Sequence, residues 1–213
     1  MKRKSRIILA AILVLVILCA WYFMRPLSAQ NIARKLPDDS QWKGKIKEIK
    51  VDNLYHKMGR QLFCLDSDQG NVYFLVNRFQ EMEPYNSAGK MGDFICMDYD
   101  DDGKYELLYL SHEMLKSYYV PQLYIYGMSR GKICLEAVYG FHDENDFGPG
   151  YALTLDKKGN LYLVYNEAQP KYNVSIEYAD GQWTCKGENA DSINVEEETA
   201  EYQKRKHNTL RDY

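Results

Sequence analysis

The sequence predicts a mainly β protein, an antiparallel meander of hairpins, with an N-terminal transmembrane helix and a short C-terminal helix. Three observations predict it. Five pairs of short segments rich in Tyr, Val, Ile and Leu flank turns that contain glycine. An uncharged run of 18 residues, Ile7–Met24, stands near the start. The last twenty residues change to a charged, helix-like pattern.

The first element follows from length and charge. Lys2, Arg3, Lys4 and Arg6 precede the apolar run, and Arg25-Pro26 ends it. As a helix the run would span about 27 Å at about 1.5 Å per residue, close to the roughly 30 Å hydrocarbon core of a bilayer. Trp21 and Tyr22 lie at one end, where amphipathic rings favour the interface, and the basic cluster favours a cytoplasmic N-terminus. Three readings compete: uncleaved anchor, cleaved signal peptide and lipoprotein. The core is long for a signal peptide, although Leu27-Ser28-Ala29 offers a weak cleavage site. The residue before Cys19 is Leu18, where a lipoprotein would have a small one. All three place the rest of the chain outside. The expected organisation is a cytoplasmic segment 1–6, a signal-anchor 7–24, a juxtamembrane linker 25–40, an extracytoplasmic β domain 41–190 and a C-terminal helix or tail 191–213.

Ser28–Leu36 continues as a short helix, and Pro37-Asp38-Asp39-Ser40 breaks it. Trp42–Tyr55 reads as a long, partly alternating strand. Then come the hairpins. Gln61–Asp66 and Asn71–Arg78 flank Asp68-Gln69-Gly70. Phe94–Tyr99 and Tyr105–Ser111 flank Asp100-Asp101-Asp102-Gly103. Gln122–Met128 and Lys132–Tyr139 flank Ser129-Arg130-Gly131. Tyr151–Asp156 and Leu161–Asn166 flank Lys157-Lys158-Gly159-Asn160. Val174–Ala179 and Gln182–Lys186 flank Asp180-Gly181, a strong two-residue turn signal. Val72–Val76 and Leu107–Leu110 are nearly continuous apolar runs, which predicts strands covered on both faces. A helix over Val195–Arg211, capped by Ser192 or Asn194, would carry its glutamates early and its lysines and arginines late, as the helix dipole favours.

Of 27 basic and 30 acidic residues, five basic ones (Lys2, Arg3, Lys4, Arg6, Arg25) belong to the anchor region. The exterior therefore holds 22 against 30, a net of −8. That argues against nucleic acid, which needs a basic footprint, and suits divalent cations. The exterior cysteines Cys64, Cys96, Cys134 and Cys185 form no CxxC pair, so structural zinc is not expected. Buried free thiols in strands are, although an exterior location permits disulfides. Most of the 19 tyrosines are expected in strands and core. Tyr118, Tyr119, Tyr124, Tyr126, Tyr162 and Tyr165 would otherwise form a stacking face for a sugar or peptide.

One motif carries chemistry. Asp98-Tyr99-Asp100-Asp101-Asp102-Gly103-Lys104-Tyr105-Glu106 has carboxylates at positions 1, 3, 5 and 9, and glycine at 6. Hard oxygen ligands at alternate positions of a tight loop converge on one centre, as Ca²⁺ requires. The Lys104 carbonyl adds a neutral oxygen. Five carboxylates in nine residues would repel one another without a cation. Position 12 is Tyr109 rather than Glu, and the flanks are strand-like, so this is not an EF-hand. A solvated acidic turn is the alternative.

The segment Met97–Leu108 resembles the calcium loop of FG-GAP and VCBS-type repeats, where D-x-D-x-D-G-x-x-D/E joins two strands. The chain as a whole looks like small anchored or secreted Firmicutes proteins with one such loop in a β-meander. The resemblance implies Asp98, Asp100, Asp102 and Glu106, with the Lys104 carbonyl, as ligands of a structural Ca²⁺. A single copy does not make a propeller, which takes at least four blades.

No nucleophile elbow, phosphate loop or dinucleotide fingerprint occurs. His142-Asp143-Glu144-Asn145-Asp146 could serve an envelope hydrolase, but no second His stands at metal-ligand spacing. Ser111-His112-Glu113 is adjacent only in sequence, which says little about a triad. The expectation is a non-enzymatic, calcium-stabilised envelope domain that binds a protein or a cell-wall polysaccharide. A hydrolase, or an accessory protein docking through its C-terminal helix, stands as the alternative.

Overall fold

Each of the five expected glycine turns joins two strands that pair antiparallel. The computed structural model describes residues 2–34, 45–67, 70–79, 81–83, 87–88, 93–115, 118–141, 151–155, 160–165, 174–186 and 190–192. It describes the backbone alone at 2–5, 23–24, 66–67, 70, 72, 82–83, 87–88, 112–115, 118–121, 151–152, 164–165 and 190–192. The His142–Asp146 loop and the expected helix over Val195–Arg211 lie outside the described residues.

The elements are α1 (Lys2–Met24), α2 (Ala29–Ala33), β1 (Ile46–Ile49), α3 (Leu54–Met58), β2 (Arg60–Ser67), β3 (Gly70–Asn77), β4 (Met82–Glu83) and β5 (Ser87–Ala88). They continue with β6 (Asp93–Met97), β7 (Glu106–Leu115), β8 (Tyr118–Ser129), β9 (Lys132–Phe141), β10 (Tyr151–Leu155), β11 (Leu161–Tyr165), β12 (Val174–Ala179), β13 (Gln182–Lys186) and β14 (Ala190–Ser192). The strands form three sheets. The first runs β1-β2-β3-β4, with β5 also on β3. The second runs β14-β9-β8-β7-β6, and the third β10-β11-β12-β13. The meander is thus cut twice, after β5 and after β9, and β14 returns to the edge of the second sheet. Arg130-Gly131 and Asp180-Gly181 take left-handed φ at both positions (51° and 75°, 54° and 78°), the geometry that closes a two-residue hairpin in register with the strand twist.

The second sheet lies between the other two. Its side chains alternate, and each parity meets a different neighbour. Leu107, Tyr109, Tyr124 and Tyr126 pack with Leu62, Cys64, Tyr73 and Leu75 of the first sheet. Leu108, Leu110, Leu123 and Ile125 pack with Leu153, Leu161, Leu163 and Ile176 of the third. The continuous apolar run Leu107–Leu110 is fully buried for this reason. β3 behaves alike: Tyr73 and Leu75 face the second sheet, while Phe74 and Val76 turn outward. That outer face is covered by Leu27, Ile32 and Ala33, so residues 27–33 of the expected linker are packed on the domain.

The long strand expected over Trp42–Tyr55 is a correction. The described strand there is only Ile46–Ile49. Asn53 adopts φ 58° and starts α3, so Leu54 and Tyr55 are helical, and Gly59 at φ 66° ends that helix. Leu54 and Met58 are its buried side. The alternation that suggested a strand came from a four-residue strand followed by a helical turn.

Lys2–Met24 is helical throughout. Twelve large apolar side chains from Ile7 to Tyr22 are each half or more exposed. Among the described residues no helix is long and apolar enough to cross a membrane. The side chains described in α1 run from Arg6 to Tyr22 and so leave out Phe23 and Met24, the end of the 18-residue run.

Candidate metal centre

The loop between β6 and β7 is built from its own carboxylates. Asp98 Oδ2 accepts the Gly103 N–H at 3.0 Å. Asp100 Oδ1 accepts the Asp102 N–H at 3.2 Å. Glu106 Oε2 accepts the Tyr99 N–H at 2.8 Å. These bonds fold the chain back on itself, with Asp101 at φ 58° and Gly103 at φ 82°. Both lie in the left-handed region, which Gly103 adopts without the strain a Cβ brings.

The fold brings Asp98, Asp100 and Glu106 together. One carboxylate oxygen from each lies within 4.8 Å of the other two. Asp102 is not part of that trio. The Asp102 carboxylate accepts the Lys104 N–H at 2.7 Å and pairs with the Lys104 ammonium at the loop's exposed rim. That pairing holds the Asp102 carboxyl below the usual range and the Lys104 ammonium above it.

Two features show strain that a cation would relieve. Asp98 Oδ1 is buried and has no hydrogen-bond partner among the described residues. A buried carboxylate oxygen without donor or counter-ion is costly. Glu106 is only 6 % exposed. Burial pushes its carboxyl up to about 7, the Tyr99 N–H opposes the rise, and Asp100, Glu136 and Asp102 add to it. The donor set is hard oxygen, one of its residues carries an orphaned oxygen, and it fits a hard divalent cation.

The sequence reading missed Glu136, Trp183 and the role of Tyr99. Between Ile125–Ala137 and Tyr126–Leu135 the β8–β9 register slips, leaving Glu136 as an extra residue on β9. Such a bulge re-aims a side chain. The Glu136 carboxylate folds across Gly127, where a Cβ would collide with it, and accepts Trp183 Nε1–H at 3.0 Å. Trp183 packs on Tyr99 (ring centroids 4.9 Å apart) and Tyr178 (5.0 Å). The Tyr99 hydroxyl donates to the Ile176 carbonyl of the third sheet. The Tyr139 hydroxyl donates to the Trp183 carbonyl at 2.7 Å. Tyr99 is therefore a tie: its N–H holds a loop carboxylate and its side chain holds the third sheet. Beside it lies an open cleft of about 470 Å³ bounded by Glu136, Tyr139, Tyr178, Gln182 and Trp183. The Tyr99 signal was visible in sequence as an aromatic inside an acidic loop; the bulge at Glu136 had no sequence mark.

Other candidates fall away. Tyr124 and Tyr126 stack inside the core rather than on a ligand face. Ser111 is fully buried, closed to substrate. Cys64 and Cys96 are buried cysteines outside any disulfide, and Cys134 and Cys185 are half-buried ones. Burial pushes Cys96 up to about 11 and Cys185 up to about 12, which leaves both inert at neutral pH. No protein-family model, curated protein or solved structure matches the chain. The FG-GAP/VCBS likeness therefore stands on the twelve residues of the loop.

Proposed function

We propose that this chain is a non-enzymatic, membrane-anchored extracytoplasmic β domain, stapled by Ca²⁺ at Asp98, Asp100 and Glu106, that works as a binding module of the cell envelope. Two observations carry the cation: Asp98 Oδ1 is buried and unbonded, and carboxylate oxygens of Asp98, Asp100 and Glu106 lie within 4.8 Å of one another. The Lys104 carbonyl completes the set, and Asp102 joins if it exchanges its Lys104 contacts for the ion. Extracellular modules of this kind bind Ca²⁺ with dissociation constants of about 10⁻⁴–10⁻³ M, which suits the outer side of a membrane.

The anchor is supported by energetics. A helix apolar all round is stable only inside a core or a bilayer. Twelve large side chains of α1 stand exposed; at about 1.5–3 kcal/mol each, leaving them in water would cost on the order of 20 kcal/mol. Residues 7–24 are read as the signal-anchor with the N-terminus cytoplasmic. The cleft beside Trp183 and Tyr178 is the place for a protein or polysaccharide ligand, since it offers aromatic faces and a carboxylate.

Terbium luminescence tests the cation. Tb³⁺ takes calcium's oxygen sites and is sensitised by a nearby tyrosine, here Tyr99. Emission should appear on aromatic excitation, disappear on adding Ca²⁺, and be absent from the Asp98→Asn/Asp100→Asn double variant. Unsensitised Tb³⁺, or equal emission from the double variant, would remove the basis of the reading.

A further inference from the structure

The chain just beyond α1 is tied to the start of β2. The Leu27 N–H donates to Gln61 Oε1 at 2.6 Å, and Gln61 Nε2 donates back to the Leu27 carbonyl at 3.0 Å. Both bonds are buried, and Leu27 is itself buried. Only Arg25 and Pro26 separate Leu27 from Met24, the last residue of α1. The domain therefore has no slack between helix and sheet. Gln61 pairs with Val76, and Arg60 with Asn77, so Leu27 marks the end of the sheet where β2 begins and β3 finishes.

At that end β3 runs into the turn Arg78-Phe79. Asn77 fixes it: its Oδ1 accepts the N–H groups of Phe79 and Glu81, both at 3.0 Å, and its Nδ2 donates to Glu81 Oε2 at 2.9 Å. Phe79 is 73 % exposed, the highest value among the exposed large apolar side chains, those of α1 included. The end of α1 and the turn each carry an arginine over aromatic rings. The Arg25 guanidinium lies 4.7 Å from the Tyr22 ring centroid and 5.9 Å from that of Trp21. The Arg78 guanidinium lies 5.6 Å from the Tyr55 ring centroid. Arg, Tyr and Trp in such pairs sit at the headgroup level.

We propose that the Arg78-Phe79 turn is a second membrane contact, seating the first sheet's end on the lipid headgroups beside the exit of α1. This rests on reading α1 as a retained anchor. The reach agrees with it. Phe79 is three residues beyond Val76, at most about 10 Å of chain and less because the chain turns at Arg78. Arg25 is two residues from Leu27, about 7 Å. The headgroup zone of one leaflet is roughly 5–8 Å deep. A protein tied at the exit of α1 and again at the Arg78-Phe79 turn presents that end of the first sheet to the membrane.

The test uses the full chain in vesicles of equal parts phosphatidylcholine and phosphatidylglycerol, with and without brominated acyl chains. Phe79→Trp is compared with wild type, whose own Trp21, Trp42 and Trp183 set the background, and with Leu155→Trp on the third sheet. The bromolipid should quench the emission added at position 79 about twofold and spare that added at 155, as expected of an interfacial ring. If the protein floats with the vesicles while the added emission at 79 is quenched by aqueous iodide and ignores bromolipid, the contact is wrong and the anchor stands. If the protein does not float with the vesicles, the anchor reading fails and this contact fails with it.

Discussion

Replacing Glu106 with Gln should act with opposite signs in the absence and presence of calcium. The Gln side chain keeps the shape and can still accept the Tyr99 N–H. It removes a buried charge. Without a cation, the folded-state carboxyl titrates near 7 against an ordinary value of 4.5. The folded state then holds the proton more tightly than the unfolded state. Stability is greatest below about pH 4.5, falls as pH rises through about 7, and carries the full penalty above that. At about 1.4 kcal/mol per pH unit the ceiling is roughly 3 kcal/mol, and solvent reaching the open side of the loop reduces it to about 2. In a chelator at about pH 8, Glu106→Gln should therefore be more stable than wild type by about 1–2 kcal/mol. In about 10 mM Ca²⁺ the wild type should gain about 1.4–2.7 kcal/mol, from RT ln(1 + [L]/Kd) with Kd of about 10⁻⁴–10⁻³ M. That is a rise of roughly 3–10 °C in Tm for a domain of this size. The variant should gain little. Thermal unfolding followed by circular dichroism, in four samples, reads both signs. A variant less stable than wild type in chelator, and equally stabilised by calcium, would refute the reasoning.

Other expectations follow from the same contacts. The calcium-induced gain in Tm should shrink between about pH 7 and pH 5.5, because protonation of Glu106 raises the apparent dissociation constant about sixteenfold there; Tm against pH at fixed Ca²⁺ checks it. Tyr99→Phe removes the hydrogen bond to the Ile176 carbonyl and should cost about 1 kcal/mol, with faster amide exchange confined to β12 and β13. Gly127→Ala forces a collision with the Glu136 side chain and should destabilise by about 1–3 kcal/mol in urea unfolding, with Glu136→Ala restoring part of it. Leu107→Ala, in the central sheet with no exposure, should cost about 2–5 kcal/mol by the same assay.

The hairpins were legible because their turns carry local signals. Arg130-Gly131 and Asp180-Gly181 need left-handed backbone, and the sequence supplies glycine where it is least costly. The β7–β8 connection was not legible: Leu115 pairs with Tyr118, and the sequence between them has no glycine. Nor could alternation alone reveal that the strands divide into three stacked sheets, since that depends on which buried face meets which. At the site, Asp98, Asp100 and Glu106 were readable from their spacing. Asp102 was equally well spaced, yet its side chain turns to Lys104. Glu136 and Trp183 reach the loop only through a bulge and a third sheet, both set by tertiary packing.

The proposed cation is held by the three carboxylates of Asp98, Asp100 and Glu106. Isothermal titration of Ca²⁺ into chelator-treated protein at about pH 7, repeated in buffers of different ionisation enthalpy, tests it most directly. One saturable site per chain is expected, with Kd of about 10⁻⁴–10⁻³ M, release of about half a proton from Glu106, and loss of both in Asp98→Asn. No saturable heat, or binding unchanged in Asp98→Asn, would contradict it.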